Sequence, residues 1–212
     1  GLDATWLGRA PLQKSAAIDA PGAIKMKDAF GIDPYRAALG LAQAAAKRRA
    51  RIFEQTHVQK VTFTRKDAEV VTADARIQAR HVIVTTGAPT LEFRQLRRHL
   101  KRRESYVVLT EPMPAALRKQ LGPRGSSIAD ALQPHHRIRW TSDDRILVGG
   151  GDQEEVPASK REAALIQRTG QLMYELSTMY PAISGLRPEY GWELSYGETA
   201  DGLMYIGPHR NY

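Results

Sequence analysis

The chain has no cysteine among its 212 residues. Disulfides, thiolate metal sites and a cysteine-linked cofactor are therefore excluded within it. No apolar stretch approaches the roughly 20 residues that span a bilayer. The opening GLDATWLGRA has neither the basic nor the apolar region of a signal peptide, so a cytoplasmic protein is expected. Also missing is a Gly-x-Gly-x-x-Gly turn between a strand and a helix, the usual cradle for a dinucleotide pyrophosphate. GGGD (residues 149–152) ends a strand, but the helix after it comes too late for that role. There is no internal repeat and no low-complexity tract.

What is present is ordinary in amount. Hydrophobic residues make up 42% and charged residues 25%, which is globular composition with enough length for one large or two small domains. The net charge of +8 raises the question of nucleic acid. Basic residues cluster in KRRAR (47–51) and RRHLKRR (97–103). No helix-turn-helix, zinc knuckle or ribonucleoprotein aromatic signature accompanies them. They read as a solvated helix end, where cations suit the dipole, and a basic surface connection; no nucleic-acid partner is expected.

Asp33 followed by Pro34 predicts a helix start, aspartate as N-cap and proline in the first turn. Leu39, Ala42, Ala46 and Ala50 share one face of that helix, which should pack close against a sheet. RIFEQTHVQKVTF, EVVTA and ARIQARHVIVTT (75–86) then read as strands, the last ended by Gly87 and Pro89. ESYVVLTEP is a strand stopped by Pro112 and Pro114, and MPAALRKQLG a short helix closed by Gly122. HHRIRWTSDDRILVGGGD has the pattern of a hairpin turning at Ser142, Asp143 and Asp144. Residues 159–180 carry helical periodicity, begin at a Ser159–Glu162 capping box and stop at Pro181. YGWELSYGETADGLMYIGPH is a strand, an Asp-Gly turn and a second short segment.

Four of these pieces, in order, resemble the FAD-dependent amine and D-amino acid oxidase superfamily, the group of glycine oxidase and sarcosine oxidase. They are DPYRAALGLAQAAAKRRARIFEQTHV, ARHVIVTTGAPT, DDRILVGGGD and YGWELSYGETADGLMYIGPH, spread over residues 31–209. The resemblance implies a mixed α/β and α+β fold: part of an FAD-binding Rossmann-like domain plus an antiparallel-sheet substrate domain. Residues 1–30 would be an opening segment of the substrate domain and 31–90 the partial FAD-binding domain. Residues 91–195 would be the substrate domain, and 196–212 the return toward the FAD-binding domain. That family's glycine loop and its closing segment have no counterpart here, so the chain is expected to be the interior of a longer enzyme, inactive alone.

The same resemblance implies FAD as cofactor and places Val58, Thr86 and Gly87 beside its adenosine and pyrophosphate. From the residues alone, 81–89 reads rather as a core strand ended by an ordinary turn. On the substrate side, Arg137 and Arg139 lie two apart on a strand and share a face. Arg137 falls where glycine oxidase has a substrate-contacting tyrosine; it either forks onto a substrate carboxylate or belongs to a solvent-facing basic strand. Tyr196 falls where glycine and D-amino acid oxidases keep a carboxylate-binding arginine, so Arg137 is expected to supply the charge that Tyr196 lacks, or the substrate is a secondary amine with a distant carboxylate or none. Tyr106 and Trp192 are either an aromatic wall for a cationic amine or core. His135 and His136 are adjacent on a strand, point to opposite faces and have no third ligand at metal spacing, so no metal site is expected.

The activity implied is hydride transfer from a CH–NH group of an amine or amino acid to flavin. The competing expectation is a non-catalytic binding module on the same scaffold. An incomplete cofactor domain would leave strands 58–63 and 81–86 with an unpaired edge, through which the chain is expected to form a homodimer or to aggregate.

Overall fold

In chain order the elements are β1 (Ala4–Gly8), α1 (Arg9–Ala16), β2 (Gly22–Met26), α2 (Pro34–Lys47), β3 (Val58–Phe63), β4 (Ala68–Thr72), β5 (Arg76–Ala79), β6 (Leu100–Thr110), α3 (Ala115–Arg118), β7 (Ser127–Ala129), β8 (Arg137–Trp140), β9 (Ile146–Glu154), α4 (Arg161–Met179) and β10 (Pro188–Thr199). Short 3-10 segments occupy Leu91–Arg98, Ala158–Lys160 and Pro181–Ile183. They come from a computed structural model that describes residues 3–88, 91–121 and 127–208. Gly122, Pro89 and His209, named above, lie outside the described residues. The architecture is mixed α/β with antiparallel sheets, and it divides into two compact units. Among the described residues no helix is long and apolar enough to cross a membrane.

The first unit comprises Gly1–Gly31 and Arg103–Tyr196. Its centre is a five-stranded sheet in the order β10-β6-β9-β8-β7, with β6–β9, β9–β8 and β8–β7 antiparallel. Strand alternation is what builds the core. Tyr106 and Val108 of β6, Ile138 and Trp140 of β8, and Ile146 and Val148 of β9 form one buried cluster with Leu172 and Leu176 of α4. Leu172 and Leu176 are four residues apart and therefore on one helix face. Each is fully buried, contributing about 1.5–3 kcal/mol. The β8–β9 hairpin turns where predicted: the Thr141 amide donates to the Arg145 carbonyl at 3.0 Å, and Asp144 takes φ 61°. A smaller antiparallel pair, β1 with β2, carries α1 between its strands.

The second unit comprises Ile32–Arg102 and Gly197–Tyr212. It holds α2, the 3-10 segment Leu91–Arg98 and a three-stranded antiparallel sheet in the order β3-β4-β5. Asp33 caps α2 as its sequence indicates, accepting from the amides of Tyr35 (3.0 Å) and Arg36 (3.1 Å). Residues 91–99 precede β6 and belong to this unit; Phe93 is buried and meets Phe63 edge-on at 6.5 Å.

Three local expectations are corrected. Residues 81–86 form no ladder: among the described residues no strand pairs with them, and a β-branched run becomes a strand only with a neighbour to pair with. Helix α2 packs against nothing that buries it; none of its residues is buried and Leu41 is 73% exposed. The Ser159–Glu162 capping box does not form, because a 3-10 turn at Ala158–Lys160 moves the N-cap of α4 to Lys160, which makes no side-chain cap.

One backbone crossing organises the second unit. The Gly197 amide donates to the Gly87 carbonyl at 2.9 Å, and Gly87 sits in the left-handed region at φ 72°. A Cβ on Gly197 would stand 3.1 Å from that carbonyl and 3.3 Å from Leu100. Gly197→Ala is therefore expected to destabilise this unit by about 1–3 kcal/mol, read as a lower urea midpoint. An unchanged midpoint would mean that the crossing has slack.

Candidate functional site

The five-stranded sheet has one covered face and one face turned away from α4. With 138, 140, 146, 148, 106 and 108 packed in the α4 cluster, alternation turns Arg137, Arg139, Leu147, Gly149, Val107 and Leu109 the other way. On β10 the phase is fixed by Gly191, whose Cβ would lie 2.9 Å from Thr169 of α4. Trp192, Leu194 and Tyr196 therefore face away from the helix. On β9 the phase shifts at a bulge opposite residues 104–106, and past it Gln153 bonds Tyr106 and Arg168 on the helix side. That leaves Asp152 on the outer face.

The outer face gathers two of the three substrate-side candidates. Arg137 is exposed and, among the described residues, has no hydrogen-bond or ion-pair partner. Its register partner is Gly149, so no side chain stands between it and Val107, the next residue across the sheet. The Tyr196 hydroxyl donates to Asp152 Oδ2 at 2.7 Å. Trp192, half-buried, shares the face. The third candidate, Tyr106, is in the core instead, fully buried under α4. Its hydroxyl accepts from Gln153 at 2.7 Å and donates to Glu104 at 3.3 Å. Burial raises the Tyr106 pKa, and the charges of Glu104 and Glu193 add to the rise.

Asp152 was not singled out in the sequence. The available signal was its position just past three glycines, where a bulge re-aims side chains. A second missed group is the trio Asp130, His136 and Glu175. His136 is buried, with Nδ1 2.6 Å from Asp130 and Nε2 2.7 Å from Glu175. A carboxylate beside each ring nitrogen favours the imidazolium, the form in which both nitrogens are donors. Gly150 makes room for it, since a Cβ there would meet the ring at 2.9 Å. The trio ties β8 and the segment before it to α4. Among the described residues, no group of three His, Cys, Asp or Glu could hold a metal ion.

The cofactor-side candidates lie in the second unit. An open cleft of about 1010 Å³ is lined by 80–88, the β3–β4 turn, Phe93, Gly197 and 203–208, among others. Thr86 and Gly87 are part of its wall; Val58, at the start of β3, is not. Thr86 Oγ1 donates to the Ala88 carbonyl at 2.8 Å, and nothing lies within 4 Å of where a Gly87 Cβ would be. Arg65, Lys66 and Arg80 put positive charge on a wall that also carries Phe63 and Ile83. Bare backbone, cations and apolar surface fit an anionic ligand with a planar ring system, as FAD is.

The model of a family described as FAD dependent oxidoreductase (DAO) matches residues 1–212. Over 186 residues the chain is 25% identical to a probable oxidoreductase, OrdL, of Haemophilus influenzae, covering 84% of this chain and 41% of that protein. Over 180 residues it is 26% identical to gamma-glutamylputrescine oxidoreductase of Escherichia coli, covering 83% of this chain and 40% of that protein. The chain thus spans about two-fifths of the length of these relatives. Its fold is that of glycine oxidase from Bacillus cereus, with a TM-score of 0.75 at 16% identity over 99% of this chain and 57% of that one.

The Asp130–His136–Glu175 trio makes a pH prediction. Burial opposes charging His136, but the Asp130 hydrogen bond and the two carboxylate charges outweigh it and hold its pKa above 6.5. A raised histidine pKa contributes stability that is complete below the unfolded pKa of about 6.5 and is lost as pH rises through the folded value. For Asp130, burial pushes upward, yet bonds from His136 hold its pKa below 3.8, so its contribution is lost as pH falls through the folded value. Thermal unfolding of the first unit should show its Tm declining from near pH 6.5 upward, and His136→Gln should flatten that decline. The same slope in both proteins would assign it to other groups.

Proposed function

For a chain that belongs to the FAD-dependent oxidoreductase (DAO) family, we propose the substrate domain and part of the cofactor domain of an enzyme that oxidises the CH–NH group of a small amine or amino acid. The family gives the cofactor and the oxidoreductase class; the substrate and the bond attacked are our proposal. When bound, the flavin supplies the two-electron acceptor for the hydride that leaves the carbon beside the substrate nitrogen, and the imine so formed hydrolyses. The protein contributes position and charge. Thr86 and Gly87 would line the cofactor, with Val58 on the adenine side. Arg137 would take a substrate carboxylate.

The observation that carries this proposal is Arg137: an exposed guanidinium without a partner among the described residues, on a sheet face with a glycine beside it. An unpaired arginine there costs nothing in water and is ready to fork onto a carboxylate. The names of two similar proteins, gamma-glutamylputrescine oxidoreductase and glycine oxidase, agree with a small amine or amino acid. Self-association is a further part of the proposal. The second unit exposes Ile32, Tyr35, Leu41, Phe53 and Ile83, and among the described residues no strand pairs with the outer sides of β3 and β5, so the isolated 212-residue chain should show a mass by light scattering that grows with concentration. A constant monomer mass would end that part.

The enzyme reading is tested by mixing the flavin-loaded full-length protein, without oxygen, with a panel of amines and amino acids. The expected result is bleaching of the flavin absorbance by at least one of them. Arg137→Met should then raise KM for a carboxylate-bearing substrate about tenfold with kcat nearly unchanged, the pattern of lost uniform binding. No bleaching across the panel would leave a binding module.

A further inference from the structure

We propose that the outer face of the first unit's sheet binds a small zwitterion by its two ends, Arg137 taking the carboxylate and Asp152 an ammonium group several bonds away. The inference rests on the proposed substrate face and names its substrate class. Its first support is that Asp152, like Arg137, carries a charge with no opposite partner: among the described residues no lysine, arginine or histidine pairs with it, and its one bond comes from the Tyr196 hydroxyl on Oδ2. A tyrosine donor orients a carboxylate without neutralising it, so the negative charge remains available to a cation.

The second support is spacing. Arg137 lies opposite Gly149 in the β8–β9 register, and Asp152 is three residues further along β9. At about 3.3 Å per residue the two backbone positions are roughly 10 Å apart, less what the intervening bulge takes up. Held that far apart on one face, the two charges do not pair with each other. In an α-amino acid the nitrogen and the carboxylate carbon are separated by two bonds, roughly 2.5 Å. Such a ligand can satisfy one end of this face but not both. A chain of several methylenes between ammonium and carboxylate satisfies both.

The third support is the sign of the charge at Tyr196. A carboxylate-binding arginine would make that end of the face cationic. Here a phenol holding Asp152 makes it anionic, which repels a carboxylate and attracts an amine. Tyr196 is thus a positioning residue for Asp152, and Asp152 the specificity-determining one.

The test uses the flavin-loaded full-length protein with the flavin chemically reduced, so that binding is measured by calorimetry without turnover. The probes are glycine, pentanoate, pentylamine and 5-aminopentanoate. The expected order puts 5-aminopentanoate at least about tenfold tighter than each of the other three, a difference of about 1.4 kcal/mol. Asp152→Asn should weaken 5-aminopentanoate to the level of pentanoate without weakening pentanoate, and Tyr196→Phe should produce a smaller loss of the same kind. Glycine binding as tightly as 5-aminopentanoate, or Asp152→Asn weakening pentanoate equally, overturns the proposal. The ligand series on the unaltered protein decides the matter even if a variant fails to load flavin. Failure of the enzyme proposal reads differently: zwitterion binding would persist while no amine bleaches the oxidised flavin.

Discussion

The packing of α4 against one face of the five-stranded sheet is the constraint from which the rest of the first unit follows. Leu172 and Leu176 seal Tyr106, Val108, Ile138, Ile146 and Val148 away from water, and the strand period of two then leaves every intervening residue on the opposite face. That division sorts chemically similar residues into different roles. Tyr106 and Tyr196 both carry a hydroxyl bonded to a carboxylate, yet one is core and the other belongs to the candidate substrate face. Arg137 and Arg168 differ in the same way, one exposed and without a side-chain partner among the described residues, the other reaching from α4 to Gln153 on the sheet.

Polar groups on the covered side have to be satisfied where water cannot reach them. His136 solves this by taking a carboxylate on each nitrogen, and Tyr106 by joining Gln153, which in turn accepts from Arg168. Both arrangements pin β9 and its neighbours to α4 and so hold the sheet's other face in register. The glycines at 149, 150 and 151 do separate jobs in this scheme: the first leaves the floor open beside Arg137, the second makes room for the His136 ring, and the third, at φ 65°, turns the bulge that re-aims Asp152.

The second unit works on a different principle. Its sheet is small, its helix α2 has no buried residue, and among the described residues no ladder pairs with residues 81–86. What fixes the wall of its cleft is a backbone contact, Gly197 to Gly87, with no side chain at either position. Bare backbone at a cleft wall suits a ligand that must come close, and the surrounding cations suit an anionic one. The unit therefore has a shape for its ligand that owes little to buried side-chain volume.

Short-range features were legible in the sequence because their causes are local. The Asp33-Pro34 helix start, the hairpin turn at residues 142–144, the long helix ending before Pro181 and the absence of a pyrophosphate loop all depend on neighbours within a few residues. The order of four segments was enough for the family, and with it FAD and the mixed antiparallel fold. The tertiary structure decided everything that depends on which surface another element covers. Residues 81–86 have a strand's composition but, among the described residues, no partner strand, and the face of α2 that looked ready to pack has no buried residue. Asp152 reaches the outer face only because a bulge shifts the strand's phase, and a one-residue shift moves a side chain from one face to the other. Spacing along the chain carries no record of that shift, nor of Gly197 lying against Gly87 from more than a hundred residues away.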